Sequence, residues 1–337
     1  MRFGPVPLSA ATGALLAHSL KLPGGRLKKG HVLSEADLDL LAAAGLGEVT
    51  VARLDPTDLG EDDAAAEVAR ALHDGAAGLT CSSPFTGRVN LLAQGPGVVV
   101  LDAGRITAAN LVDAMITIAT VPPFRQVHPG AMVATVKIIS YGVPEAAVAR
   151  ASAAARGAIR LAAPVHETAS LIVTETPGGA PGGPPGDARK GIEAIAARVR
   201  GLGMVLGETR VVAHDEATLA GAIARAGGDI VLILTASATS DINDTAPAAL
   251  RRAGERVERF GMPVDPGNLL FLGALSERPV IGLPGSARSP VLHGADWVLS
   301  RVACGIEVTS EDIARMGVGG LLKEIPTRPQ PRQRAAR

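Results

Sequence analysis

The chain has 337 residues, enough for about two or three domains, and its 33 basic and 33 acidic side chains give a formal net charge of zero. This balance argues against a nucleic-acid-binding protein, which needs clustered positive charge to displace counterions from phosphates. Hydrophobic residues make up 47% of the sequence, which excludes global disorder, and no apolar run reaches the roughly 20 residues that cross a bilayer. We therefore expect a cytoplasmic protein with a small-molecule partner and with no nucleic-acid or membrane partner.

Cysteine and histidine are sparse and scattered. Cys81 and Cys304 are too few for a disulfide framework and lie outside the CxxC spacing of zinc sites. The seven histidines form no HExxH motif, so the sequence predicts no zinc site.

The first 75 residues predict a small α/β region. Ser34, with Asp37 three positions later, has the pattern of a capping box that starts an amphipathic helix. A strand is expected over 49–54, and a helix with an acidic first turn over 62–72.

Residues 76–157 predict a mixed α+β region. Strand-like runs at 87–93 and 98–102 flank a Gly-Pro-Gly turn, which predicts a β-hairpin. Thr107 is the expected cap of a helix over 108–118.

Two more elements are expected before residue 158. The run at 132–139 is rich in β-branched residues and predicts a strand. Pro144, at a first-turn position, is expected to open an Ala-rich helix that ends near Arg156.

Residues 158–326 alternate β-branched runs with helical patterns. This alternation predicts a mostly parallel sheet with helices on both faces, and sites on such sheets lie outside the carboxyl ends of the strands. We therefore expect functional residues in the loops after Thr174, Thr235 and Leu283. The predicted strands are 170–174, 210–213, 229–235, 269–271 and 280–283, and the predicted helices are 190–200, 216–226, 245–253 and 290–303.

Two segments have the composition of loops. Residues 177–186 consist mostly of Gly and Pro and cannot hold a regular element. The tail at 327–337 is basic and polar, and we expect it to be disordered.

The first candidate site is the loop that leaves the apolar run ending at Thr235 and enters a helix near Pro247. Its small hydroxyl residues let the backbone approach a ligand, and exposed amides at a helix start attract anions. Asp241 and Asp244 are candidate Mg²⁺ ligands because this cation prefers carboxylate and phosphate oxygens. A simpler alternative is that Asp244 or Thr245 only caps the helix.

The second candidate is the loop at 283–290, between the last predicted strand and a long helix. Gly285 permits an unusual backbone turn, and Ser286, Arg288 and Ser289 offer hydrogen-bond donors to an oxyanion. The alternative is a capped turn whose arginine faces solvent.

Two further loops are weaker candidates. Asp265 and Asn268 belong to a rigid Pro-Gly loop, where they either face a ligand or form a tight turn. Residues 174–179 look like a phosphate-binding loop, but no Gly-Lys-Ser/Thr follows at the Walker spacing.

These loops together carry a family resemblance. Ser237-Ala238 followed by Asp244, then Pro266-Gly267-Asn268, then Leu283–Ser286 occur in the order of a Gly-Gly loop with an aspartate, Pro-Gly-Lys-Pro and Leu-Pro-Gly-Asn-Pro. In this order the chain resembles the molybdopterin-binding family of molybdenum cofactor biosynthesis. It is most similar to the molybdopterin-binding half of bacterial proteins that continue into a nucleotidyltransferase domain. Further matching stretches are 28–33, 133–137, 260–270, 287–290, 296–299 and 316–322.

The resemblance implies a three-layer molybdopterin-binding α/β domain over residues 158–326, with molybdopterin or its nucleotide-activated form as the ligand. It also implies that Asp244, with Asp241, is catalytic and holds Mg²⁺. The expected ligand-binding residues are Thr174, Ser237, Ala238, Ser240, Pro266, Gly267, Asn268, Pro284, Gly285, Ser286, Arg288 and Ser289.

Three functions are compatible with this resemblance. The first is insertion of molybdate into nucleotide-activated molybdopterin. The second is a non-catalytic carrier that serves a separate nucleotidyltransferase, which is favoured by Ser237-Ala238 in place of Gly-Gly and by Asn268 in place of the family's lysine. The third is a nucleotide pyrophosphatase, since competence-damage-type proteins use a similar domain. The family also often forms homo-oligomers, for which the helix near 145–156 is a candidate interface.

Overall fold

The computed structural model describes residues 1–175 and 187–322. The predictions for the loop at 177–186, for most of the loop at 174–179 and for the tail at 327–337 lie outside the described residues.

The chain divides into two compact units. One consists of residues 1–95 and 99–161, and the other of residues 96–98 and those from 162 onward. No helix in the described part of the chain is long and apolar enough to span a membrane.

The first 162 residues form short strands and four helices. The helices are α1 (Glu35–Ala43), α2 (Glu61–His73), α3 (Ala103–Asn110) and α4 (Glu145–Ala155). The strands are β1 (Arg2–Pro7), β2 (Leu15–Leu16), β3 (Leu20–Leu22), β4 (Gly25–Leu27), β5 (Glu48–Arg53), β6 (Asp58–Gly60), β7 (Leu79–Cys81), β8 (Arg88–Ala93), β9 (Gly97–Leu101), β10 (Ile116–Thr120), β11 (Gln126–Val127), β12 (Met132–Ile138), β13 (Gly142–Pro144) and β14 (Ile159–Ala162).

The first unit contains two separate hydrophobic cores. In the N-terminal one, β1 and β2 pair antiparallel with β5, and α1 packs through Leu41 against Leu16 and Val51. The predicted capping box starts α1: the Ser34 hydroxyl accepts the amide N–H of Asp37, and the Asp37 carboxylate accepts the amide N–H of Ser34. In the larger core, α2, α3 and α4 pack on the sheets β10-β12-β8-β7 and β11-β9-β14.

Two predictions for this unit are wrong. The runs at 87–93 and 98–102 are strands β8 and β9, but they belong to different sheets and form no hairpin. The helix expected over 108–118 instead begins after Asp102, whose carboxylate accepts the amide N–H of Arg105 and caps α3. The later part of that segment is β10, because its alternating β-branched residues pair with β12.

The second unit contains the remaining elements. Its helices are α5 (Asp187–Gly201), α6 (Glu216–Ala224), α7 (Thr245–Arg252), α8 (Gly294–Ala303) and α9 (Ser310–Arg315). Its strands are β15 (Thr168–Glu175), β16 (Val205–Ala213), β17 (Ile230–Leu234), β18 (Arg256–Phe260), β19 (Phe271–Leu275) and β20 (Arg278–Leu283).

A six-stranded sheet with the order β16-β15-β17-β20-β19-β18 forms the centre of this unit. The first four strands are parallel to one another, whereas β19 pairs antiparallel with both of its neighbours, β20 and β18. The predicted α/β fold with a mostly parallel sheet is therefore confirmed. The edge strand β18 and the short helix α9 were not predicted.

Helices cover both faces of this sheet. Because side chains alternate along a strand, Leu171 and Leu232 pack in the core that includes α5 and α8, whereas Ile172 and Ile233 pack in the core that includes α6 and α7. Both faces of the central strands are thus buried. A ligand can therefore reach these strands only at their ends.

Candidate functional site

Four parallel strands of the second unit end at one edge of its sheet, and candidate loops begin there. The register pairs Leu234, the last residue of β17, with Val173 of β15 and with Leu283 at the end of β20. The end of β16 lies beside Glu175 of β15. The carboxyl edge of the sheet therefore brings together the starts of the loops after Thr174, Thr235 and Leu283, as sheets of this kind do at ligand sites.

Thr174 joins three of these strand ends through its hydroxyl group. The side chain is buried, and Oγ1 accepts the amide N–H of Ala236 at 2.8 Å. The same oxygen lies 2.8 Å from Nδ1 of His214, while Nε2 of that ring lies 3.0 Å from Oγ of Ser237. Three segments that are distant in the sequence thus form one hydrogen-bonded cluster.

His214 is a residue of this cluster that the sequence analysis missed. It directly follows β16 and is half-buried at the same edge of the sheet. Its position just after a predicted strand is the signal that could have identified it.

Asp244 caps helix α7. Its two carboxylate oxygens accept the amide N–H groups of Ser240 at 2.9 Å and Thr245 at 2.7 Å. The hydrogen bond from Ser240 contributes most to lowering the pKa of Asp244 below its ordinary value, so the group is ionised at neutral pH. Asp244 therefore caps α7, and whether it also holds a metal ion stays a prediction.

Most of the other residues of this loop are exposed, but Thr239 is buried. Asp241 accepts the amide N–H of Asn243 at 2.7 Å through Oδ1. Ser237, Ala238 and Ser240 are exposed, and the backbone oxygen of Ser237 accepts the buried hydroxyl of Thr235 at 2.7 Å. No group of three or more His, Cys, Asp or Glu side chains in the described residues has the arrangement of a metal centre. Mg²⁺, however, is commonly held by one or two carboxylates together with phosphate oxygens.

Arg288 connects the loop after β20 with the loop after β17. Its Nη2 donates a hydrogen bond to the backbone oxygen of Thr235 at 2.8 Å. A glycine on α5 makes room for this side chain: a Cβ atom on Gly191 would lie 2.9 Å from Nη1 of Arg288 and 2.7 Å from Cδ2 of Leu234. The arginine therefore belongs to the site edge and is not simply a solvent-facing residue of a turn.

The other residues of the second candidate loop form a short 3-10 turn over Gly285–Arg288. The backbone oxygen of Pro284 accepts the amide N–H of Ala287 at 2.9 Å, and Ser289 is exposed at the end of the turn. The unusual backbone expected at Gly285 is absent, because its φ lies outside the left-handed region and a Cβ there would meet open space. Ordinary turn geometry is sufficient at this position.

Ser286 contacts a buried histidine that precedes α8. Its Oγ lies 2.7 Å from Nε2 of His293, whose side chain is 1% exposed. The other ring nitrogen, Nδ1, accepts the amide N–H of Ala295 at 3.1 Å. His293 is a second residue that the sequence analysis missed.

An arginine on α5 holds this loop against α8. Nε of Arg198 donates to Oδ1 of Asp296 at 2.6 Å, and its two Nη atoms donate to backbone oxygens of Ala287, Ser289 and Val291. The other oxygen of Asp296 accepts the backbone N–H of His293 at 2.8 Å. Because this carboxylate contacts the histidine backbone and not the ring, the group has no Ser-His-Asp hydrolase geometry.

Pro266, Gly267 and Asn268 lie in a loop packed against the start of α8. Pro266 follows a cis peptide bond, and its backbone oxygen accepts the amide N–H of Gly294 at 2.9 Å. A Cβ on Gly267 would lie 3.0 Å from Cα of Gly294. Nδ2 of Asn268 donates to the backbone oxygen of Met262 at 3.3 Å and so connects the two ends of this loop. A ligand-binding role for these residues stays a prediction.

Comparison with known proteins gives partial matches. A family model described as a domain of unknown function, DUF8806, matches residues 5–53. No curated protein matches the chain.

Two solved structures overlap with most of the chain at low similarity. One, described as the molybdopterin biosynthesis moea protein from Pyrococcus horikosii, is 15% identical over 84% of this chain and 70% of its own, with a TM-score of 0.27. The other, described as a molybdenum cofactor biosynthesis protein from Pyrococcus furiosus, is 14% identical over 91% of this chain and 65% of its own, with a TM-score of 0.24. Similarity at this level does not transfer an activity to this chain.

Proposed function

We propose that this chain binds molybdopterin, or its nucleotide-activated form, at the carboxyl edge of the six-stranded sheet and acts in molybdenum cofactor biosynthesis. The observation that carries this proposal is the cluster of Thr174, His214 and Ser237, connected through Thr235 to Arg288. It unites loops whose order along the chain resembles that of the molybdopterin-binding family. The choice of molybdopterin as the ligand rests on the loop motifs and not on the overlap with solved structures.

The ligand's phosphate is the group that this edge is suited to bind. Ser237, Ser240 and Ser286 are exposed hydroxyl-bearing residues, and hydroxyl groups donate hydrogen bonds to phosphate oxygens. Arg288 adds a positive charge and a planar set of N–H donors. No lysine is required for this mode of binding, which accommodates Asn268 at the position where the family has a lysine.

Asp244 and Asp241 are the residues that would hold Mg²⁺. Asp244 is ionised, and each of its oxygens retains a lone pair beyond the one used by an amide N–H, so this carboxylate can be one ligand of a cation that also contacts phosphate oxygens. When bound, Mg²⁺ would neutralise charge on a departing phosphate. The contribution of the protein is to hold the ionised carboxylate of Asp244 beside the exposed serines of this edge.

Replacing Arg288 with alanine is expected to weaken molybdopterin binding by roughly tenfold or more, because a hydrogen bond to a charged group is lost. The measurement is isothermal titration calorimetry under anaerobic conditions. Ser237→Ala, which removes one hydroxyl and keeps the arginine, is expected to weaken binding less. Arg150→Ala, on the exposed side of α4, is the matched control. Equal affinity for the wild type and both site variants would exclude this edge as the binding site.

Asp244→Asn is expected to abolish Mg²⁺-dependent release of nucleotide from adenylylated molybdopterin supplied with molybdate. Asparagine still caps a helix, so α7 should remain folded. Asp102→Asn, at the cap of α3, is the control for loss of a capping carboxylate. An unchanged rate in Asp244→Asn would remove its assigned role.

The same assay separates molybdate insertion from the carrier function. If the wild-type protein binds molybdopterin but releases no nucleotide, while an authentic molybdenumtransferase is active, the chain is a carrier for a separate nucleotidyltransferase. The Cβ atoms of Ser237 and Ala238, which occupy the family's Gly-Gly position, favour that outcome. Release of nucleoside monophosphate from free dinucleotides would instead identify a pyrophosphatase.

A further inference from the structure

The exposed Ser286 forms a hydrogen bond with a buried histidine, His293, which has no role in the proposed function. Oγ of Ser286 and Nε2 of His293 are 2.7 Å apart, and the histidine is almost completely buried. A hydrogen bond of this length fixes the position of the hydroxyl oxygen. Its effect on the ligand depends on which of the two groups donates the hydrogen.

A hydrogen bond from the backbone identifies which group is the donor. Nδ1 of His293 accepts the amide N–H of Ala295 at 3.1 Å, so Nδ1 has no hydrogen of its own. A neutral imidazole then carries its single hydrogen on Nε2. Nε2–H therefore donates to Oγ of Ser286, and the hydroxyl hydrogen of Ser286 is not used by the ring.

The surroundings keep the ring neutral. The pKa of His293 is lowered to about 4, mainly by burial and in addition by the positive charge of Arg198. The carboxylate of Asp265 acts in the opposite direction. Asp296 pairs with Arg198 and with the backbone N–H of His293. The tautomer with hydrogen on Nε2 is thus the state at neutral pH.

We infer that His293 is a positioning residue that presents the Ser286 hydroxyl as a hydrogen-bond donor to a phosphate oxygen of the ligand. Ser286 is then not a nucleophile, because a ring nitrogen that already carries a hydrogen cannot accept the serine proton. The matching ligand group is an oxygen that only accepts hydrogen bonds, as in a phosphate. This inference rests on the proposed function, whose site it describes more closely.

The first test is the tautomer of His293 in the ligand-free protein, read by nitrogen-15 NMR of the full chain labelled at histidine. His293→Gln identifies the signal. A hydrogen on Nε2 is the expected result. A hydrogen on Nδ1 would overturn the inference and leave the proposed function untouched.

The second test is a double-mutant cycle for binding of inorganic phosphate, followed by calorimetry. Ser286→Ala and His293→Gln are each expected to weaken binding by roughly five- to tenfold, the value of one hydrogen bond. The double variant should be no weaker than either single variant, because the histidine acts through the serine. His128→Gln, an exposed histidine in the first unit, and Ser9→Ala are the controls.

The outcomes separate the two proposals. Additive losses, or wild-type affinity in either site variant, would overturn the role of His293 while phosphate binding at the edge remains. If the wild-type protein binds neither phosphate nor molybdopterin, the proposed function and this inference both fail. The tautomer measurement in the unmodified protein keeps the test decisive even if His293→Gln does not fold, because Ser286→Ala removes the partner of Nε2 and then identifies the His293 signal by its shift.

Discussion

Replacing Arg198 with methionine is expected to lower the free energy of unfolding of the second unit by about 3–5 kcal/mol. The side chain of Arg198 is 9% exposed and that of Asp296 is 14% exposed. Without the arginine, this carboxylate has lost its charged partner, and the backbone oxygens of Ala287, Ser289 and Val291 have lost a donor. Burial already raises the pKa of Asp296, and removal of the positive charge raises it further.

The sequence offers a convenient probe for this measurement. Trp297 is the single tryptophan of the chain and follows Asp296 in α8, so its fluorescence during urea unfolding reports on this unit. Arg150→Met, at an exposed position of α4, is the control and should change stability by no more than about 0.5 kcal/mol. A loss below about 1 kcal/mol in Arg198→Met would mean that solvent replaces the arginine.

The free energy of unfolding is expected to decrease as the pH falls from 6.5 to about 4, because His293 titrates over this range. The pKa of this ring is lowered from 6.5 to about 4 in the folded protein, so the unfolded chain takes up a proton first as the pH falls. At about 1.4 kcal/mol for each pKa unit, the wild-type protein should lose about 3 kcal/mol of unfolding free energy between these two values. The contribution is fully present above pH 6.5 and is lost as the pH falls toward 4.

Comparison with His293→Gln isolates this effect from other titrating groups. The variant lacks the titrating ring, so its stability should depend less steeply on pH over the same window. His128→Gln, an exposed histidine, should keep the wild-type slope. Parallel curves for the wild type and His293→Gln would show that the ring protonates equally well in both states.

The sheet that positions the candidate site could be predicted because its central strands are buried on both faces. Residues 230–234 form an uninterrupted apolar run between polar loops, and that pattern defines a central strand. Strand β18 was missed because three of its five residues are charged, and a run of this composition at the edge of the sheet also fits an exposed loop. The existence of β8 and β9 was predicted correctly, but their pairing was not, since partner choice depends on the rest of the chain.

The candidate site was predictable as a set of loops and not as a set of contacts. Residue types at strand ends identified Thr174, Ser237 and Arg288 as candidates. The histidines beside them could not be assigned, because the contact between His214 and Thr174 joins residues 40 apart in the sequence. The pair of Arg198 and Asp296 spans 98 residues, a distance at which spacing carries no information about a partner.

The hydrogen bond from Arg288 to the backbone oxygen of Thr235 has a consequence for the entropy of ligand binding. Fixing a free arginine side chain costs about 2 kcal/mol in lost rotamer freedom. Both partners of this bond belong to the protein, so that cost is met when the chain folds. An anion arriving at the edge of the sheet meets a guanidinium group that is already ordered, and its binding energy is not reduced by ordering this side chain.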